Sequence, residues 1–166
     1  MEREWICCFT GHRKIDGVAM QELSTLLDGV IDRLIAAGVT VFRTGGAVGF
    51  DTLTALKVIE RKERHPTLIL ELYLPCRNQA DGWGERSRAY YDYILQNADH
   101  VEYLFDSYVK GCMLARNRRM VDGSQFCIGY CVSERGGSAY TLDYAKKKGV
   151  RVINLAQMLP TNAKNS

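Results

Sequence analysis

Hydrophobic positions fall into two kinds of run that alternate along the chain. Trp5-Ile6-Cys7-Cys8-Phe9, Val39-Thr40-Val41-Phe42-Arg43, Leu68 to Leu74, Val101-Glu102-Tyr103-Leu104-Phe105, Gln125 to Val132 and Val150 to Leu155 are short. They are rich in β-branched and aromatic residues, so they predict six strands, with Pro75 stopping the third. The first is apolar throughout, as a central parallel strand must be. Between the strands the apolar spacing changes. Leu23, Leu26, Leu27, Val30, Ile31 and Leu34 recur at steps of three and one, one face of an amphipathic helix, with Gly38 placed just past its end. Further helices are predicted over Asp51 to Arg64, with Leu53, Leu56 and Ile59 at helical spacing, and over Arg86 to Asn97, with Tyr90, Tyr91, Ile94 and Leu95 inward. Two more run from Cys112 to Val121 and from Ala139 to Lys148, the last ending at Gly149.

Alternating strands and helices predict an α/β fold: a doubly wound, mainly parallel sheet of about six strands with helices on both faces. Residues 1–158 form one domain in this reading, and 159–166 a flexible polar tail. In such sheets ligands bind outside the carboxyl ends of the strands. The unusual polar loops all follow strands: Thr10 to Arg13, Gly45 to Gly49, Arg77 to Trp83 and Glu134 to Ser138.

Composition adds limits. With 166 residues and 46% hydrophobic content the chain can bury one sizeable core, and a net charge of +3 is too small to argue nucleic acid. No apolar run is long enough to span a bilayer and no signal peptide is recognised, so a cytoplasmic location is expected. The six cysteines show no C-x-x-C pair and are expected as reduced core residues, with no metal site.

The stretch Thr44-Gly45-Gly46-Ala47-Val48-Gly49-Phe50-Asp51 lies between a predicted strand and a predicted helix. Glycines admit close backbone approach and a helix start attracts anions, so the turn is read as a phosphate cradle or as a purely structural strand-to-helix turn. A side chain at Gly46 should then abolish binding with little loss of fold. The spacing is not G-x-G-x-x-G, so NAD does not follow from it. Gly136-Gly137-Ser138 repeats the logic, with Ser138 as a helix cap or phosphate ligand. Two helix ends hold an anion weakly, so an arginine is expected too. Arg116 lies at the margin of an apolar helix face defined by Met113, Leu114, Met120 and Val121, with Asn117 in its middle; Arg118 and Arg119 point elsewhere. Asp51 is read as helix-terminal structure or as a ribose hydroxyl contact. His12, beside Arg13, is a surface residue, a base-stacking ring or a proton carrier. Gln79 suits a nucleobase. Trp83 suits a nucleobase or a packing role.

Thr10-Gly11-His12-Arg13, Thr44-Gly45-Gly46-Ala47-x-Gly49-x-Asp51, Gln79 with Trp83, Arg116-Asn117-Arg118-x-Met120-Val121-Asp122 and Gly136-Gly137-Ser138-Ala139-Tyr140-Thr141 together resemble the YpsA-type family of the SLOG superfamily, from about Ile6 to Leu155. That superfamily also holds DprA (Smf) and the LOG enzymes. The resemblance implies a Rossmann-like fold that binds a nucleotide or nucleotide-derived ligand. The first reading of the chain is therefore a binder of such a ligand, adenine- or NAD-derived, acting as a ligand sensor. LOG proteins are nucleoside-monophosphate phosphoribohydrolases with an Arg-Lys-x-x-Met helix and a P-G-G-x-G-T-x-E-E loop. Here Asn117 replaces the Lys, and Asp143 stands one residue late where a Glu would fall. A hydrolase would therefore use Arg116 with Asp143 or Glu134. A DprA-like single-stranded DNA binder is the third reading, disfavoured by the low charge. A small nucleotide ligand and a homo-oligomer are the expected partners.

Overall fold

The structure is a computed structural model in which residues 4–160 are described. Six strands form one sheet: β1 (Trp5–Gly11), β2 (Val39–Thr44), β3 (Ile69–Cys76), β4 (His100–Phe105), β5 (Phe126–Tyr130) and β6 (Arg151–Asn154). Between them run α1 (Gly17–Ala36), α2 (Phe50–Lys62), α3 (Glu85–Asn97), α4 (Cys112–Val121) and α5 (Gly137–Lys147). The order across the sheet is β4-β3-β2-β1-β5-β6, and every pairing is parallel.

That order explains the layers. The chain steps outward from β1 to β4, then crosses back and steps the other way from β5 to β6. Right-handed crossovers place α1, α2 and α3 on one face and α4 and α5 on the other. Two buried clusters agree: Leu23, Leu27, Ile31, Val58 and Ile94 pack on one side of the sheet, and Met120, Val121, Leu142 and Ala145 on the other. Burying one such aliphatic side chain contributes about 1.5–3 kcal/mol. The direction reverses between β1 and β5, and a crevice opens outside their carboxyl ends.

Several expectations change in detail. On α2 the deeply buried positions are Phe50, Asp51, Thr54, Ala55, Lys57, Val58 and Arg61, while Leu53, Leu56 and Ile59 are only partly buried. The helix turns a polar stripe inward because α1 meets it with acids: Lys57 Nζ reaches Asp28 at 2.7 Å and Arg61 Nε reaches Asp32 at 2.6 Å. Pro75 does not end β3; it lies past Thr44↔Leu72, the last registered pair with β2, where a missing N–H breaks no ladder bond. Tyr90 is exposed rather than inward. β6 stops at Asn154, whose Oδ1 accepts from Ala156 N–H and opens a short 3-10 helix, Leu155–Met158. Leu159 is buried in the core, so packing reaches one residue past the expected domain end; the remaining tail, 161–166, lies outside the described residues. The six cysteines are buried free thiols. No helix is long and apolar enough to cross a membrane among the described residues.

Candidate functional site

At the β1/β5 reversal lies a cavity of about 320 Å³, lined by Thr10 to Arg13, Ala47, Asp51, Met113, Leu114, Arg116, Asn117, Gly137 and Ser138. Nine of the sixteen residues predicted to bind ligand meet there: Thr10, Gly11, His12, Arg13, Asp51, Arg116, Asn117, Gly137 and Ser138.

The β1 end supplies His12 and Arg13. His12 is pinned to the neighbouring strand end: its Nε2 accepts from Val132 N–H at 2.9 Å and its ring meets Tyr130 edge-on. Partial burial pushes its pKa down, which suits a neutral ring accepting a hydrogen bond.

The glycine turn after β2 contributes Ala47 and Asp51 to the cavity lining and is tied into the fold by its own hydrogen bonds. Ala47 N–H donates to Asp51 Oδ2 at 3.1 Å, and Phe50 N–H donates to the His12 carbonyl at 3.1 Å. The N–H groups of Ala47 and Phe50 are thus used internally. The glycines are required by packing. A Cβ on Gly11 would strike the Phe50 ring, one on Gly49 (φ +82°) the Arg13 carbonyl, and one on Gly46 (φ +72°) the Leu74 side chain. Gly46 faces away from the cavity, so the expectation of a harmless block there is corrected. Thr44 is buried beneath the turn, where Oγ1 donates to the Asp51 carbonyl at 3.3 Å. Gln79 also lies behind the turn, donating from Nε2 to the Gly46 carbonyl at 3.1 Å, and Trp83 packs edge-on against Tyr91 with ring centres 5.3 Å apart. Neither lines the cavity.

α4 supplies the cation. Arg116 is 4% exposed. Its Nη1 donates to the carbonyls of Gly45 and Tyr73, and its Nε donates to Asn117 Oδ1 at 2.7 Å. Gly45 therefore acts as a support: a Cβ there would collide with both Arg116 and Asp51. Arg118 and Arg119 do turn elsewhere, to Tyr140 and Glu102.

Nη2 of Arg116 has only a soft partner, the Met113 sulfur at 3.9 Å, and Nη2 of Arg13 reaches the same sulfur at 3.6 Å. Two guanidinium groups converge on one thioether, a weak acceptor. The electrostatics of the cavity are those of two cations beside one buried carboxylate. Burial pushes the Arg116 pKa down; Asp51 opposes that and Arg13 adds to it. Burial likewise pushes the Asp51 carboxyl up, against the nearby Arg116 and Arg13 charges and the Ala47 N–H. Two cations share one reluctant carboxylate.

Opposite them begins α5. Gly136 (φ +101°) is its N-cap, no side chain caps it, and its first backbone bond runs from Tyr140 N–H to the Gly136 carbonyl at 3.0 Å. The N–H groups of Gly137, Ser138 and Ala139 therefore precede the helical ladder. Ser138 is inside the helix and is not its cap, a correction to one of its two expected roles.

The carboxylates expected of a hydrolase lie elsewhere. Asp143 faces solvent in an ion pair with Lys147 at 2.9 Å, and Glu134 lines a separate shallow cavity with Asn154 and Gln157. Asp51 is the carboxylate that lines the cavity at the β1/β5 reversal. Met113 and Leu114 were legible only as an apolar helix face; Met113 lies 100 positions from Arg13, and no local pattern joins them. No group of three or more His, Cys, Asp or Glu residues able to hold a metal occurs among the described residues.

UPF0398 proteins of Bacillus cereus (strain AH820) and Bacillus anthracis (strain A0248) are 32% identical over 107 residues, 63% of this chain. The match spans 58% of the length of those relatives. The fold is shared with DNA processing protein A (DprA) of Streptococcus pneumoniae, with TM-score 0.66 and 19% identity over 90% of this chain and 49% of that one. It is shared also with DprA of Helicobacter pylori, with TM-score 0.61 and 22% identity over 89% of this chain and 63% of that one. A family model matches residues 7–159, nearly all of the described fold, and the chain belongs to the YpsA SLOG family.

Proposed function

We propose that the cavity binds a small nucleotide or nucleotide-derived anion and that the protein acts as a ligand sensor. Arg13, Arg116 and the first N–H groups of α5 hold the phosphate; Asp51 accepts from a ribose hydroxyl. The observation that carries this is the convergence of Arg13 and Arg116 on the Met113 sulfur. Charge-assisted donors facing a thioether have a far better partner in a phosphate oxygen. The cavity volume is at the small end of the range for ligand sites, which suits a mononucleotide or one half of a dinucleotide. Adenine- and NAD-derived nucleotides are the first probes.

The test is native mass spectrometry of the purified protein, followed by calorimetric titration with AMP and inorganic phosphate, for wild type and Arg13→Gln. Arg13 is exposed, so the variant keeps the fold. Affinity should fall roughly tenfold or more in the variant, the scale of one charge-assisted hydrogen bond. Absence of binding in wild type, or equal binding in both, overturns the reading.

A phosphoribohydrolase would have to work with Asp51, since Asp143 and Glu134 lie outside the cavity. Likeness of fold to DprA does not carry DNA binding across. Retention on single-stranded DNA that weakens with salt would argue for that reading instead.

A further inference from the structure

Both cavity arginines reach the Met113 sulfur, and Met113 is half-buried with that sulfur facing them. We propose that Met113 is an oxidation site, with hydrogen peroxide or a similar small peroxide as the oxidant, and that its sulfoxide closes the anion site. This rests on the phosphate-binding reading above.

The chemistry follows from the change in acceptor strength. A thioether sulfur is a poor acceptor, so a phosphate displaces it easily. In the oxidation the sulfur lone pair attacks one peroxide oxygen, the O–O bond breaks and an S–O bond forms. The second oxygen leaves as water, taking a proton from the first. Sulfur is oxidised by two electrons and the peroxide is reduced. The same guanidinium N–H groups can donate to the departing oxygen as it gains charge. The product carries a polar S–O group whose oxygen is a strong acceptor. It forms where two guanidinium groups already point, and it competes with a phosphate oxygen for them. The α4 backbone need not move, because Arg116 stays anchored to Gly45, Tyr73 and Asn117.

Other groups react differently. All six cysteines are buried thiols. Among the described methionines, Met20 on α1 is half-buried, Met120 is sealed in the core and Met158 is 52% exposed in the 3-10 helix; neither Met20 nor Met158 lines the cavity. Met158 therefore serves as an internal standard for oxidation without consequence.

The experiment treats the full chain with hydrogen peroxide, then with dithiothreitol to restore any oxidised thiol. Peptide mass mapping scores each methionine, and titration with inorganic phosphate and AMP follows. Oxidation of Met113 should lower affinity roughly tenfold, and methionine sulfoxide reductase should restore it. In Met113→Leu the affinity should be the same before and after peroxide. Met113→Gln, which puts a carbonyl at the place of the sulfoxide oxygen, should bind weakly without any oxidant. Failure of untreated wild type to bind either probe overturns the site reading itself. Binding that survives full oxidation of Met113 overturns the switch alone. So does a Met113 that stays a thioether after Met158 is fully oxidised, or an equal loss in Met113→Leu.

Discussion

The side-chain oxygen of Asn117 accepts a hydrogen bond from Nε of Arg116, its neighbour on the same helix, at 2.7 Å. Adjacent helical residues do not ordinarily face one another. Here the Arg116 chain folds back because Nη1 is drawn to the carbonyls of Gly45 and Tyr73. Asn117 thus fixes the guanidinium plane, and the plane decides what Nη2 can reach. A lysine at 117, as in the phosphoribohydrolase pattern, would set a second cation against Arg116. The departure from that pattern therefore suits a site that holds its arginine still.

Asn117→Ala should cost about 1.5–3 kcal/mol of stability, the worth of a hydrogen bond to a charged group, and should weaken phosphate binding as Arg116 loses its orientation. Asn117→Asp should behave oppositely on the two counts. A carboxylate beside Arg116 strengthens the buried contact, yet it competes with the ligand for the guanidinium. Urea midpoints and phosphate titration, run side by side, separate the two effects; parallel losses in both variants would show that Asn117 does not act through Arg116.

Gly46 now carries a stability prediction. Its φ of +72° disfavours any side chain, and a Cβ would meet Leu74. Gly46→Val should destabilise the fold by about 2–5 kcal/mol, adding a left-handed backbone penalty to overpacking. The check is a urea melt; a wild-type midpoint would return the glycine turn to a role in ligand approach.

Much of this architecture was readable from apolar spacing. α4 has the predicted bounds, Cys112–Val121. β1 extends through Thr10 and Gly11 since both still pair with β5, at Thr10↔Gly129 and Gly11↔Tyr130, and pairing partners are invisible in a single sequence. The buried face of α2 was misplaced for a similar reason. Lys57 and Arg61 look like solvent residues until Asp28 and Asp32, some 29 positions earlier, are seen to cover them. The site was legible as a set of loops on one sheet edge. Which glycines face the cavity was not, because that depends on Phe50, Leu74 and the Arg13 carbonyl packing behind them.

The α1–α2 clamp gives an acid limit. Burial works against Asp28, but hydrogen bonds from Lys57 and Arg61 outweigh it and hold its carboxyl below the usual range; the bond from Arg61 does the same for Asp32. Depressed carboxyl pKa values stabilise the fold above the unfolded value of about 3.9 and lose that contribution as pH falls through the folded values. Arg61→Ala should cost about 1–3 kcal/mol at neutral pH, discounted because both carboxylates are partly solvated, and much less below the window. Melts at neutral pH and in acid test this; an unchanged difference would mean that Arg61 acts by packing alone.

Asp51 predicts the reverse slope. Its folded pKa is raised by burial, so between about 3.9 and that value the folded state keeps a proton that the unfolded state releases. Stability from this group is greatest at low pH and falls as pH rises through the window. Asp51→Asn should therefore stabilise the protein at neutral pH, with the gain shrinking toward pH 4. The variant should also bind inorganic phosphate more tightly, since a carboxylate facing the anion is gone, while the advantage of AMP over phosphate shrinks with the ribose contact. An unchanged AMP-to-phosphate ratio would remove Asp51 from ligand recognition.

The last prediction separates a binder from a hydrolase. Cleaving an N-glycosidic bond needs a carboxylate placed to handle water or the oxocarbenium-like charge, and such help is worth roughly 10²–10⁴-fold. Asp143 is tied to Lys147 on the solvent side of α5, and Glu134 sits in a neighbouring cavity. Only Asp51 faces the arginines, and its Oδ2 is held by Ala47 N–H beside Arg116. No second carboxylate lines the cavity to share acid–base work with it. Purified protein should therefore bind AMP yet release no adenine above background by chromatography. Release that persists in Asp143→Ala and Glu134→Ala but vanishes in Asp51→Asn would make Asp51 the acid–base group and the protein a hydrolase.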